Sequence, residues 1–397
     1  MKYDFETSVN RGPDGSAKWY FMHRENEALP QDIIPFSVAD MELKNPPEIM
    51  EGLREFLNDE LILGYTIPTP RYFFAVTDWM KRRHNWQVSP DWLVMSPGVV
   101  PALYASVKCF AKPGEGVIIF SPVYYPFKKS IEASNRKVVD IPLILNEMRY
   151  EIDWEAFEKE AKDPNNKLLM FCSPHNPVGR VWTREELYRV SETCLKNNLL
   201  MLCDEIHHDL IMPGFKHTVY ATLSKEAEQN CLVCTAPSKS FNLAGLQTSN
   251  IIIPNPEIRE VFQREMERAS LRTLNTVGFK ACELAYNECE DWLEELICHI
   301  DKNRKFAENF ISNKLPQIKV FPMEGTYLQW WDCRGLGLDY EKLRRFLREK
   351  AYLITDEGHI FGETGKGFIR MNLACPTQVL EAALERLHKA VLNGLGV

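Results

Sequence analysis

Lys239 stands in Ala236-Pro-Ser-Lys-Ser-Phe-Asn-Leu-Ala-Gly245, directly after the apolar run Leu232–Cys234 and among small hydroxylated neighbours. Burial in such a place disfavours the charged amine and lowers its pKa, which suits a lysine for Schiff-base chemistry. Asp204, in Asp204-Glu-Ile-His-His-Asp209, closes a second apolar run, and an acid buried there must be paired or hydrogen-bonded. Asn176 projects an amide from a turn stiffened by Pro174 and Pro177, and Tyr124 and Tyr125 follow a further run in Ser121-Pro-Val-Tyr-Tyr-Pro126, where a planar ring can stack on an aromatic face. Gly98 opens Val99-Val-Pro-Ala-Leu103, a turn into a helix whose first N–H groups and dipole favour a phosphate. Taken singly, each has an ordinary reading: a solvated lysine, core or interface aromatics, a stiffened loop, a strand–helix turn. Metal binding through Asp204, His207 and His208 is the weaker alternative, because vicinal histidines in a continuing chain face different ways, and no metal is expected.

The elements that must position these residues are short, β-branched-rich runs: Trp92–Met95, Val117–Phe120, Lys137–Ile141, Leu168–Cys172, Leu199–Cys203, Leu232–Cys234 and Asn250–Ile253. Continuous apolar runs separated by polar-periodic segments are what strands buried on both faces look like, with intervals such as Arg184–Asn197 as crossover helices. Thr183 and Glu186 have capping-box spacing at the start of that interval. The expectation is an α/β chain with a mostly parallel sheet, whose ligand sits beyond the carboxyl ends of its strands. A glycine turn, an aromatic, an asparagine, an aspartate and a lysine, each following its own strand, form the set that a pyridoxal phosphate site requires.

From about Glu288 the pattern changes to long helices (Asp291–Asn313, Tyr340–Lys350, Thr377–Leu392) around strands Lys319–Phe321, Tyr327–Trp331 and Phe368–Asn372. The division this suggests is a large domain over residues 49–287 and a smaller α+β domain from residues 1–48 and 288–397. With 47 Lys+Arg against 55 Asp+Glu, the net charge of −8 lacks the basic surplus that nucleic acid requires. The eleven cysteines are scattered through apolar runs without metal-ligand spacing and read as reduced, mostly buried thiols. No apolar stretch reaches the roughly 20 residues of a membrane span, and Met1–Gly12 carries acid and no apolar signal segment, so a cytoplasmic enzyme without membrane or nucleic-acid partners is expected.

The chain resembles the aspartate-aminotransferase superfamily of fold type I pyridoxal-phosphate enzymes. Within it, the resemblance is to the cystathionine β-lyase and cystalysin-type carbon–sulfur lyases, the MalY/PatB family. It is carried by Val38-Ala-Asp-Met-Glu42, Ser121–Phe127, Cys172-Ser-Pro-His-Asn-Pro-Val-Gly-Arg180, Asp204-Glu-Ile-His207, Ala236–Gly245 and Glu324-Gly-Thr-Tyr-Leu-Gln-Trp330, nearly end to end. The resemblance implies a seven-stranded, mostly parallel sheet with helices on both faces. It also implies that Lys239 holds pyridoxal 5'-phosphate as a Schiff base, that Asp204 keeps the pyridine nitrogen protonated, that Asn176 bonds the phenolic oxygen, and that Tyr124 stacks on the ring. Val99, Val100 and Ser238 would cradle the phosphate, and Tyr65 would reach the cofactor of a neighbouring subunit in a homodimer with shared sites. Arg370, in Phe368-Ile-Arg-Met371, matches the arginine that clamps the substrate α-carboxylate, and Ala39 falls in the substrate-binding segment.

Two positions depart from the aminotransferase pattern: Gln247 stands where an arginine usually meets the phosphate, and His207 where a tyrosine usually meets the phenolic oxygen. Both look like the carbon–sulfur lyase branch. The implied reaction is α,β-elimination from cystathionine, cysteine or a cysteine S-conjugate to pyruvate, ammonia and a thiol, with Lys239 as the base and Tyr125 assisting the leaving group or the carboxylate. A class I/II aminotransferase is the alternative. A catalytically idle, cofactor-holding protein is disfavoured by the joint retention of Lys239, Asp204, Asn176 and Arg370.

Overall fold

A computed structural model describes residues 2–26, 29–30, 32–271 and 274–395. Nine strands precede residue 253: β1 (Leu93–Ser96), β2 (Gly116–Ile119), β3 (Lys137–Asp140), β4 (Ile144–Asn146), β5 (Arg149–Glu151), β6 (Asn166–Cys172), β7 (Leu200–Asp204), β8 (Cys231–Thr235) and β9 (Ser249–Ile252). Seven of them form one sheet in the order β1-β9-β8-β7-β6-β2-β3. Pairing is parallel from β3 through β8, and β9 alone is antiparallel to both its neighbours.

Alternate residues of these strands feed two cores, as a sheet covered on both faces requires. Val117, Ile119, Leu168, Met170, Leu202 and Leu232 pack with Ala102, Leu103 and Val107 of the helix Val99–Phe110 and with Phe262 and Met266 of the helix Pro256–Arg268. Ile118, Leu169, Phe171, Met201, Cys203 and Val233 face the other way, toward the helices Pro70–His84, Arg184–Lys196 and Thr276–Glu288. The helix after residue 183 starts with the expected capping box, Thr183 Oγ1 accepting from Glu186 N–H and the Glu186 carboxylate accepting from Thr183 N–H. All eleven cysteines are free thiols; Cys298 is exposed, Cys109 half-buried and the others buried.

A second, antiparallel sheet, β10-β11-β13-β12, is built from β10 (Lys319–Val320), β11 (Leu328–Asp332), β12 (Asp356–Glu357) and β13 (Phe368–Asn372). The helices Glu290–Lys314 and Thr377–Leu392 accompany it, and the N-terminal chain joins it through Phe36, whose carbonyl accepts from Asn372 N–H. The expected helix over 340–350 is instead an α-helix over Tyr340–Arg345 followed by a π-helical turn over Phe346–Lys350. Phe346 and Leu347 of that turn are both buried. The sequence did not mark the β4–β5 hairpin, in which β4 is exposed along its length although Ile144 and Leu145 are apolar. Among the described residues no helix is long and apolar enough to cross a membrane.

Candidate active site

Register brings the chemistry to one edge. Cys172 of β6 pairs with Asp204 of β7, which pairs with Cys234 of β8, so the loops carrying Asn176, Asp204 and Lys239 leave the sheet side by side. Because β9 runs the opposite way, its entry, Gln247–Ser249, reaches the same edge, where Ser249 pairs with Ser96 at the end of β1. A cavity of about 240 Å³ lies there. It is lined by Val99, Val100, Tyr124, Asn176, Asp204, His207, Ser238, Lys239 and Ala39, which the sequence had singled out, together with Gln247.

Lys239 sits on a four-residue helix, Pro237–Ser240, and its Nζ donates to the Ala39 carbonyl at 2.7 Å. Burial lowers its pKa to about 8, with the positive charge of Arg370 acting the same way and Asp40 opposing. Asp204 is 3% exposed, and its carboxylate accepts one backbone N–H, from Ile206 at 3.2 Å. Burial pushes its pKa up to about 7. His207 is buried with its Nδ1 unpartnered, and burial together with nearby Lys239 and Arg370 holds its imidazole well below the usual range. Gly98, at φ 114, is the N-cap of the helix Val99–Phe110 and offers no side chain to cap it, so the dipole's positive end faces the cavity uncapped.

Arg370 of β13 comes in from the second sheet. Its Nη1 donates to Asn176 Oδ1 at 2.8 Å and its Nη2 to Asp356 Oδ2 at 2.6 Å, while its buried Nε has no partner. Arg370 is not itself among the residues lining the cavity, but it is tied to Asn176, which is; the guanidinium is fixed through two of its five N–H groups and keeps donors for a carboxylate.

Not every residue singled out in the sequence lies on the cavity. Tyr125 is the residue before the helix Pro126–Ala133, packs against Tyr124 with ring centres 5.3 Å apart, carries Lys129 over its ring, and is absent from the lining. Tyr65 is fully exposed on an irregular segment with Ile62, Leu63 and Ile67, also exposed. His207 and His208 do part ways: His208 turns to a separate buried cluster in which Asp209 Oδ1 lies 2.8 Å from His84 Nε2, 3.3 Å from His208 Nε2 and 3.3 Å from Arg83 Nε.

Residue reasoning gave no role to Asp356, which orients Arg370, or to Tyr327, whose hydroxyl donates to the Ala39 carbonyl at 2.7 Å. Tyr327 lies in the Glu324–Trp330 motif, so its position was marked although its task was not. Asp356 sits on a two-residue strand with no pattern to mark it.

The sequence profile of the family described as aminotransferase class I and II matches residues 31–387. Cystathionine beta-lyase PatB of Bacillus subtilis is 40% identical over 360 residues, covering 91% of this chain and 93% of that protein. The crystal structure of cystalysin from Treponema denticola, which contains a pyridoxal 5'-phosphate cofactor, superimposes with a TM-score of 0.97 at 48% identity, covering 99% of this chain and all of that one. The PLP-bound C-S lyase from Staphylococcus hominis does so with a TM-score of 0.91 at 29% identity, covering 99% of each chain.

Proposed function

The chain belongs to the aminotransferase class I and II family, and on that premise we propose that it is a pyridoxal-phosphate-dependent carbon–sulfur β-lyase, cleaving amino acids with a β-thiol or β-thioether to pyruvate, ammonia and a thiol. The residues present fit the cofactor. Asp204 is a buried carboxylate with a single backbone donor, and a protonated ring nitrogen is the cation that such a group lacks. The uncapped helix start at Val99 and Val100, with Ser238, suits a phosphate. Lys239 would carry the aldehyde carbon, Asn176 and His207 would attend the phenolic oxygen, and Tyr124 the ring face. Gln247 adds an amide and no charge to the phosphate side.

The cofactor, when bound, supplies an electron sink for the charge that develops at the substrate's α-carbon. The chain does the rest. Arg370, braced by Asn176 and Asp356, takes the α-carboxylate and fixes the α-hydrogen relative to Lys239. The Lys239 amine, with its pKa near 8, has a substantial neutral fraction at mildly alkaline pH and accepts the α-proton. Asp204, ionised once it has a cation to face, would hold the proton on the ring nitrogen that makes the cofactor an electron sink. Tyr125 assists the leaving group or the carboxylate only by reaching in from beside Tyr124.

Lys239 carries the reading: a buried, pKa-lowered lysine at the same sheet edge as Asp204 and Asn176. Lys239 is the only Lys or Arg among the described residues lining the cavity, with Arg370 beside it through Asn176. Incubation of the yellow holoenzyme with L-cysteine, with no keto acid present, tests the reading. Sulfide and pyruvate released in equal amounts over many turnovers are expected. Loss of colour without pyruvate, reversed only by a keto acid, would replace it with an aminotransferase.

The same proposal includes a homodimer, supported by the exposed Ile62, Leu63, Tyr65 and Ile67, in which Tyr65 reaches the neighbouring subunit's cofactor. It also includes the domain division at residues 48/49 and 287/288 and a cytoplasmic location.

A further inference from the structure

Two β-branched residues near the cavity hold left-handed backbone, Val38 at φ 59 and Thr326 at φ 69. Such a conformation is strained for these side chains and persists only where surrounding contacts impose it. Each immediately precedes one member of a single contact, in which the Tyr327 hydroxyl donates to the Ala39 carbonyl at 2.7 Å. Lys239 Nζ donates to that same carbonyl, also at 2.7 Å. The two donors therefore converge on one oxygen, which links the Tyr327 hydroxyl to the reacting amine without a second residue between them.

That oxygen is held from several sides. The Asn372 amide donates to Val38 O at 2.8 Å and Asp40 O at 2.7 Å, and Val38 N–H donates to Asp356 Oδ2 at 2.9 Å. The Asp40 carboxylate is paired with Arg11 at 2.8 Å and with the buried Lys18 at 3.0 Å. Thr326 N–H donates to Leu210 O at 2.7 Å, and its hydroxyl accepts from Leu328 N–H at 2.9 Å. Tyr327 itself is buried, and its ring lies edge-on to His207 at 5.9 Å between centres. A phenol whose task was only to be satisfied would not require its acceptor to be shared with Lys239, or strained backbone on both sides.

We propose that Tyr327, acting through the Ala39 carbonyl, is a positioning residue for the Lys239 amine, holding it in line for proton transfer. The proposal rests on Lys239 being the base, as in the function above. The phenol and the lysine compete for one carbonyl's charge. Without the phenol, the carbonyl is a better acceptor for a charged nitrogen, and the protonated lysine nitrogen gains.

The test is Tyr327→Phe, examined as holoenzyme in two ways. In the first, the visible cofactor band, which follows protonation of the lysine nitrogen, is titrated against pH with no substrate present. Its midpoint should move up by about half a unit or more. In the second, kcat should fall about tenfold with KM within about twofold, the size of one lost oriented hydrogen bond, and the isotope effect from α-deuterated substrate should grow. An unmoved midpoint overturns the proposal even if kcat falls, since a structural phenol would lower activity without touching the titration. Val38→Gly, which relieves the φ 59 strain, should move the midpoint the same way by less, and it decides the matter if Tyr327→Phe does not fold. If the wild-type enzyme releases no pyruvate, the β-lyase reading fails while the titration still decides the role of Tyr327.

Discussion

Asp204, the last residue of β7, and Asp209, five residues on in the loop that follows, are both buried, and they are treated in opposite ways. Asp209 accepts from Trp79 Nε1 at 3.1 Å and Ser240 Oγ at 2.5 Å, with His84, His208 and Arg83 around its other contacts. Its carboxyl is held well below the ordinary range despite burial, chiefly by His208 and then His84. Asp204 receives one backbone N–H, and burial raises its pKa to about 7. The saturated acid binds the fold together, tying the loop after β7 to Ser240, next to Lys239. The acid short of partners is the one at the cavity, where a ligand's cation completes it.

That contrast can be broken in order of effect. Lys239→Ala should cost about 10⁴-fold in pyruvate formation, the upper range for a lost general base, with cofactor still bound noncovalently; turnover within tenfold of wild type would remove Lys239 from its role. Asp209→Ala should lower unfolding free energy by about 2–5 kcal/mol, because it leaves the buried Trp79 and Ser240 donors without their acceptor, at about 1–3 kcal/mol each, as measured by denaturant titration. Asp204→Asn should leave the unfolding midpoint of cofactor-free protein unchanged or higher while reducing kcat/KM by about 10²–10³-fold, on the scale of a lost preorganised electrostatic contact. If the two aspartates exchanged these outcomes, the contrast would be wrong. Arg370→Ala should raise KM by the equivalent of about 1.5–3 kcal/mol, and an unchanged KM would mean another group holds the carboxylate.

Much of the frame was legible because it is written in apolar runs. Each of the seven expected strands appears within two residues of its run, and the helix Thr377–Leu392 has its expected ends. Loops that follow buried strands put Asn176, Asp204 and Lys239 at one edge by topology alone, so those residues could be read before the register was known. What was not legible depends on contacts between distant segments. The antiparallel course of β9 carries no signal in its composition, so it was the resemblance and not the strand pattern that marked Gln247 for the cavity. Arg370 is braced by Asp356 of an adjoining strand and by Asn176, 194 residues earlier. The meeting of Ala39, Lys239 and Tyr327 joins three parts of the chain. Tyr125 shows the converse: adjacency to Tyr124 in sequence does not carry it onto the cavity wall, and it stands instead at the N-cap of the helix that starts at Pro126.

The most direct test of the contrast is a pH titration of the aspartate carboxyl carbons by ¹³C NMR in cofactor-free protein, with Asp204→Asn and Asp209→Asn used to assign the two signals. An acid whose pKa is raised by folding holds a proton that the unfolded chain releases. The stabilising share of Asp204 is therefore present below about pH 4 and lost as pH rises to about 7. That of Asp209 is present above about pH 4 and lost as acid protonates it. Asp204 should titrate near 7 and become ionised at lower pH when pyridoxal phosphate is added, while Asp209 should stay ionised to the acid limit of the fold. Ordinary carboxylate titration of both near pH 4 would contradict the account.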